Sequence, residues 1–260
     1  KAGQILSMRS EILPPSFTHE LERLRTDVEP MDRDTVLAAL RAEYDRPIED
    51  IFDAIYDNPL GSASVAQVHK ARLVTGELVA IKVQRPHVQE TMAQDISIMR
   101  SLARYMSRFM GQSQFLDLQS VVDELWQSFR EETDFLVEAR NLEELRRNNA
   151  GCVYLECPKP HPALCTRHVV VMDYVEGIPI DDTAALAAAG YDCAEIGEKL
   201  VDNFATQMLD DGFFHADPHP GNIVVSGGKI VYMDLGIMGR LSSRDRSALS
   251  DMIVAVAEKD

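Results

Sequence analysis

Phe214-His215-Ala216-Asp217-Pro218-His219-Pro220-Gly221-Asn222-Ile223, followed by Tyr232-Met233-Asp234-Leu235-Gly236, is the stretch on which the reading of this chain turns. Asn222 stands five positions after Asp217, and an Asp-Leu-Gly triplet follows at 234–236. Phosphoryl-transfer loops place a base Asp and a metal-binding Asn at that spacing, and a second metal-binding Asp in a later D-F-G-like triplet. Between the two, Ile223-Val224-Val225 and Ile230-Val231-Tyr232 flank Gly227-Gly228. That is the pattern of a hairpin holding Asn222 beside Asp234. His, Asp and Asn also populate turns for local hydrogen bonding, and the two prolines suit an ordinary loop. Loop, hairpin and second Asp in the required order decide for chemistry.

Upstream, Ser64 to Leu73 and Glu77 to Gln84 read as strands of a small antiparallel sheet joined through Val74-Thr75-Gly76. The second contains Val79-Ala80-Ile81-Lys82, a V-A-I-K pattern in which the Lys reaches the α- and β-phosphates of ATP. A lone strand Lys is more often a solvated one; the metal loop downstream makes the phosphate role the better reading. Where a glycine-rich phosphate loop belongs, the chain has Gly61-Ser62-Ala63-Ser64-Val65-Ala66, with one Gly in place of three. Ala63 and Ser64 are therefore expected in a stiffer nucleotide-binding loop.

Helical periodicity appears twice between Ala2 and Leu24, broken at Pro14-Pro15, and again from Asp34 to Tyr44. Two long helices are expected over Pro86 to Met110 and Leu118 to Asn148, the second with Glu132 and Glu138 about two turns apart on different sides. Strands follow at Val153 to Leu155 and His168 to Met172. The connection Asp173 to Gly177 reads as the hinge that receives adenine, which gives Asp173 and Val175 a cofactor-binding expectation. A helix over Tyr191 to Asp211 leads into the loop. Sheet first and helices later imply an α+β fold of two lobes.

With 26 Lys and Arg against 42 Asp and Glu, the net charge of −16 disfavours nucleic acid as a partner. Cys152, Cys157, His161 and Cys165 lack the tight C-x-x-C pairs of structural zinc sites. The cysteines read as reduced, buried thiols of a cytoplasmic protein. No run reaches the apolar length of a membrane span. The opening at Lys1 and the stop within Ser243 to Asp260 are those expected of a piece of a longer protein.

These motifs resemble the UbiB (AarF) family of atypical, protein-kinase-like proteins. The resemblance rests on Lys1-Ala2-Gly3-Gln4 (K-x-G-Q), the Ala/Ser-rich loop with Gln67-Val68-His69, Lys82, Glu132-x-Asp134, Glu138-Ala139-x-Asn141 and His215 to Asn222. It covers essentially the whole chain. It implies an ATP- and Mg²⁺-dependent ATPase or small-molecule kinase linked to isoprenoid quinone biosynthesis, with a lipid or quinone-precursor ligand and membrane association through segments beyond this chain. Carried over residue by residue, Lys82 holds phosphates and pairs with Glu138, Asn222 and Asp234 bind metal, and Asp217 is the base. Lys1 and Gln4 would contact the phosphate site or the Glu132/Asp134 pair as a regulatory lid. Gly61 departs from the Ala common in the family. The expected organisation is a helical extension at 1–50, an N-lobe with inserted helices at 51–177 and a C-lobe at 178–260. Two alternatives stand beside this: a nucleotide-sensing pseudokinase acting as a scaffold, and an aminoglycoside- or choline-kinase-like enzyme with a similar His-x-Asp loop, against which the K-x-G-Q opening argues.

Overall fold

The computed structural model describes residues 29–109 and 118–257. Lys1, Gln4 and the helices expected between Ala2 and Leu24 lie outside the described residues. In chain order the described elements begin with α1 (Arg33–Glu43), β1 (Phe52–Ser62), β2 (Ala66–Leu73), β3 (Leu78–Gln84), α2 (Val88–Phe109), α3 (Leu118–Glu132) and α4 (Phe135–Asn148). They continue with β4 (Leu155–Glu156), β5 (Val169–Asp173), β6 (Ile178–Pro179), α5 (Thr183–Ala188), α6 (Cys193–Thr206), β7 (Phe213–His215), β8 (Ile223–Ser226), β9 (Lys229–Tyr232), β10 (Met238–Arg240) and α7 (Ser243–Ala257). The α+β expectation holds. The described residues form two compact units, each drawn from two stretches of the chain: those up to Leu136 with Ala163–Val171, and Val137–Pro162 with those from Met172 onward.

The first unit is built on a four-stranded sheet in the order β1-β2-β3-β5. Successive side chains of a strand alternate between faces, so Val79, Ile81 and Val83 of β3 point one way and Lys82 the other. The apolar face meets Val36 and Leu40, one turn apart on α1, in a core completed by Val169 and Val171. Leu40, Val79 and Ile81 are fully buried, each contributing roughly 1.5–3 kcal/mol. α1 starts where it does because the Asp32 carboxylate accepts the Thr35 N–H at 2.7 Å.

Two elements of this unit differ from the sequence expectation. β1 is an additional strand, concealed because Asp57-Asn58-Pro59 interrupts its alternation; its pairing with β2 shifts register between Phe52 and Ala54, between Ile55 and Pro59 and again before Gly61. Gly61 and Ser62 thus belong to β1, and the connection to β2 shrinks to Ala63-Ser64-Val65. The expected Leu118 to Asn148 helix is two helices. Thr133 breaks it: its Oγ1 back-bonds to the Phe129 carbonyl at 2.9 Å while its own carbonyl accepts from Gln84 Nε2 at 2.8 Å. Asp134 Oδ1 then accepts the Leu136 N–H at 3.2 Å, capping α4. Glu132 and Glu138 therefore sit on separate helices rather than on two sides of one.

The second unit carries a sheet in the order β4-β9-β8-β6 and a two-stranded ribbon of β7 and β10. A Cβ on Gly239 would overlap the Phe214 ring directly across the ribbon, so only Gly fits there. Arg240, one residue on, donates to both oxygens of Glu144 on α4 at 2.8 and 2.6 Å. The strand expected at Val153 starts instead at Leu155, and Val153 is 83% exposed. Cys157 is buried and burial pushes its thiol up to about 12, whereas Cys193 is exposed, contrary to the expectation of uniformly buried thiols.

Candidate functional site

In the second unit the decisive stretch folds as one hydrogen-bonded assembly. β7 delivers the chain to Asp217, whose carbonyl accepts the His219 N–H at 2.8 Å. His219 Nδ1 accepts the Gly221 N–H at 3.0 Å, and a short helical turn over Pro220–Asn222 brings the Asn222 N–H to the His219 carbonyl at 3.0 Å. Asn222 Nδ2 reaches back to the Asp217 carbonyl at 3.4 Å. β8 and β9 then pair antiparallel, Ile223 opposite Tyr232. One step beyond that pair, the Met233 N–H donates to the Asn222 carbonyl at 2.8 Å. The hairpin therefore ties Met233, the residue before Asp234, to the backbone of Asn222.

Asp234 closes a local turn, its Oδ1 accepting the Gly236 N–H at 2.9 Å. Behind the loop lies His215, 1% exposed. Its Nδ1 accepts the Asp217 N–H at 3.1 Å, which assigns the ring proton to Nε2. That Nε2 has no partner of ordinary hydrogen-bond geometry. Burial lowers the His215 pKa, and the Asp234 and Asp217 carboxylates and the Asp234 backbone pull the other way. Desolvation is the largest of these effects and favours the neutral ring.

α4 contributes two buried side chains one turn apart, Glu138 and Asn141. Asn141 Nδ2 donates to the Leu235 carbonyl at 2.8 Å. A Cβ built on Gly236 would lie 3.1 Å from Asp234 Oδ1 and 3.8 Å from Glu138 Oε2. Two carboxylates thus border the same glycine.

In the first unit Lys82 leaves the outer face of β3, its Nζ 5.5 Å from the centroid of the Phe135 ring. The Ala63-Ser64-Val65 turn is held by Arg85. Arg85 donates from its backbone to Val65 O, from Nε to Ala63 O and from Nη2 to Ser62 Oγ, each at 2.8 Å. The same Nη2 reaches Glu29 O at 2.8 Å. Gly61 has nothing near the place a Cβ would take, so the glycine there is not sterically demanded. Buried Gln67 takes the Met31 N–H at 2.6 Å and donates to the Met31 carbonyl at 3.1 Å, fixing the chain before α1.

Of the expected site residues, Lys82, Ala63, Ser64, Glu132 and Asp134 belong to the first unit, and Glu138, Asp173, Val175, Asp217, Asn222 and Asp234 to the second. Asp134 is engaged as the α4 cap. Asp173 shares a 2.9 Å hydrogen bond with His161 Nε2. Sequence reasoning gave Arg85 no role and Asn141 only a place in a motif. The signal for Asn141 was its position three residues after Glu138, on the same helix face.

The residue chemistry fits Mg²⁺ and a nucleotide. Asn222 supplies an amide oxygen and Asp234 a carboxylate, the oxygen donors Mg²⁺ takes. No group of three His, Cys, Asp or Glu side chains gathers for a metal among the described residues. A cation held here would complete its shell with phosphate and water, which is how Mg²⁺ is bound in nucleotide sites.

A family model described as the ABC1 atypical kinase-like domain matches residues 23–260. Among curated proteins, the "uncharacterized protein in hydrogenase 1 5'region" of Clostridium pasteurianum is 37% identical over 260 residues, covering 100% of this chain and 49% of that protein. The "uncharacterized protein sll1770" of Synechocystis sp. is 33% identical over 262 residues, covering 100% of this chain and 45% of that protein. The chain spans about half the length of these curated relatives. Among solved structures, Rv3197 of Mycobacterium tuberculosis in complex with erythromycin superposes with a TM-score of 0.66 at 25% identity, covering 92% of this chain and 60% of that one.

Proposed function

Because the chain belongs to the ABC1 atypical kinase-like family, we propose that it binds ATP with Mg²⁺ and transfers the terminal phosphoryl group to water or a small-molecule acceptor, in support of isoprenoid quinone biosynthesis. The observation that carries this reading is the Met233 N–H to Asn222 carbonyl hydrogen bond at 2.8 Å, which joins the loop of Asp217 to the turn of Asp234. In this reading Asn222 and Asp234 hold the cation, Lys82 binds phosphate oxygens and Glu138 supports Lys82. When bound, Mg²⁺ neutralises the charge on the phosphates. Asp217 takes the proton of the attacking hydroxyl or water, a transfer for which its loop backbone is fixed at both ends. The erythromycin complex of Rv3197 supports a small molecule rather than a protein as partner. The cytoplasm, in association with a membrane, is the proposed setting of the full-length protein.

A second reading, nucleotide sensing without turnover, draws on the Arg85 clamp, which stiffens a loop that moves over phosphates in ordinary kinases. ATP turnover by the full-length protein, with and without membrane lipid extract, separates the two when wild type is compared with Asp217→Asn. Turnover lost in Asp217→Asn supports transfer. Nucleotide binding with no turnover in wild type under either condition supports sensing.

A further inference from the structure

A chain of amides, buried at Asn203 and Gln207 and half-buried at Asn149, runs behind the loop, and phosphoryl transfer as described makes no use of it. Gln207 opens a π-helical turn, Gln207–Asp211, at the end of α6. Gln207 Oε1 accepts the His215 N–H at 3.0 Å, and its Nε2 donates to Asn203 Oδ1 at 2.6 Å. Asn203 Nδ2 donates to Asn149 Oδ1 at 2.7 Å, and Asn149 Nδ2 to the Leu145 carbonyl at 3.0 Å. The orientation of every amide follows from the two ends. A backbone N–H can only donate and a backbone carbonyl can only accept, so each side chain between them must present oxygen towards His215 and nitrogen towards Leu145.

Asn203 and Gln207 are 2% and 0% exposed. Burying amides costs free energy unless every group is paired, so an apolar plug would fill the space more cheaply. The π-helical turn is itself a departure that gathers at functional sites. Both features have one geometric result. The relay ends on the residue whose ring holds the Asp217 N–H. A branch from Asn203 Oδ1 accepts the Tyr232 hydroxyl at 3.4 Å, two residues before Asp234. One set of amides therefore references both the Asp217 loop and the strand leading to Asp234.

We propose that Asn203 and Gln207 are positioning residues for phosphoryl transfer, holding the His215–Asp217 backbone in register with the Asp234 strand without touching substrate. The proposal rests on the reading of Asp217 as the base. It makes the C-terminal end of α6 part of the machinery.

The test is Gln207→Glu in the full-length protein. A protonated carboxyl at 207 still accepts from His215 and donates to Asn203, whereas an ionised one turns an acceptor on Asn203 Oδ1. Burial raises the pKa of such a carboxyl, so the relay should be intact near pH 5.5 and broken near pH 8. The titratable groups around it are His215 and Tyr232, with Tyr154 and Cys152 beyond Tyr232 and Asp217, His219 and Asp234 beyond His215; wild type measured in parallel carries all of them. The expected result is a kcat about tenfold below wild type near pH 8 and restored near pH 5.5, with KM for Mg-ATP changed less than about threefold. Equal losses at both pH values, or a profile that tracks wild type, would overturn the proposal. Hydrogen exchange of the Ala216 and Asp217 amides is read in the same samples. If wild type turns over no ATP, the functional reading fails, and the relay stands or falls on whether those amides lose protection only near pH 8. Asn203→Asp makes the same test one link away should Gln207→Glu not fold.

Discussion

Asn141 Nδ2 donates to the Leu235 carbonyl at 2.8 Å, across 94 residues of sequence. α4 thereby holds the backbone of the triplet that carries Asp234. Asn141→Leu leaves that buried carbonyl without its donor, at a cost of about 1–3 kcal/mol. The expected outcome is a folded protein whose Mg²⁺-dependent stabilisation by ATP is weakened, read as a smaller thermal shift at fixed Mg²⁺. A shift equal to that of wild type would show that the triplet keeps its place without α4.

Arg85 has the corresponding task at the Ala63-Ser64-Val65 turn, through Ser62 Oγ, Ala63 O and Val65 O. Ala63→Gly adds backbone freedom at one residue, but the Ala63 N–H stays bonded to Ala66 O at 2.8 Å. Arg85→Ala removes the side-chain bonds to Ser62 Oγ, Ala63 O and Glu29 O and keeps only its backbone bond to Val65 O. ATP and ADP affinities measured by calorimetry should move more in Arg85→Ala than in Ala63→Gly. If both variants bind both nucleotides as wild type does, this turn does not touch phosphate.

His215 gives the account a pH dependence. Its folded pKa is lowered from 6.5 by burial, so on acidification the unfolded chain binds this proton first. The stability conferred by the neutral ring is present above the unfolded value and is lost as pH falls below about 6.5 towards the lower folded value. Urea unfolding from about pH 7.5 to about pH 5 should show wild type losing up to about 1.4 kcal/mol per pH unit more than His215→Asn. Parallel profiles would remove His215 as the titrating group.

The parts of the fold that were legible in the sequence are those with short-range rules. The β8–β9 hairpin declares itself through β-branched runs around Gly227-Gly228, and α1 through its spacing. β1 was hidden because a strand with three register shifts has no clean alternation. The break at Thr133 was hidden because it depends on Gln84, 49 residues away. The site followed the same division. The loop and hairpin that carry Asp217, Asn222 and Asp234 were readable from spacing. Arg85, Asn141, Asn203 and Gln207 were not, because each bonds a group that only the folded chain brings to it, a backbone group for Arg85, Asn141 and Gln207 and other side chains for Asn203.

The proposed Mg²⁺-nucleotide site centred on the Asn222–Asp234 hairpin is tested most directly by calorimetric titration of Mg-ATP into full-length wild type and Asp234→Asn. Removing one carboxylate ligand should weaken Mg-ATP binding by about tenfold or more while leaving the weak, metal-free binding of ATP unchanged. A folded Asp234→Asn protein that binds Mg-ATP as tightly as wild type would contradict the account.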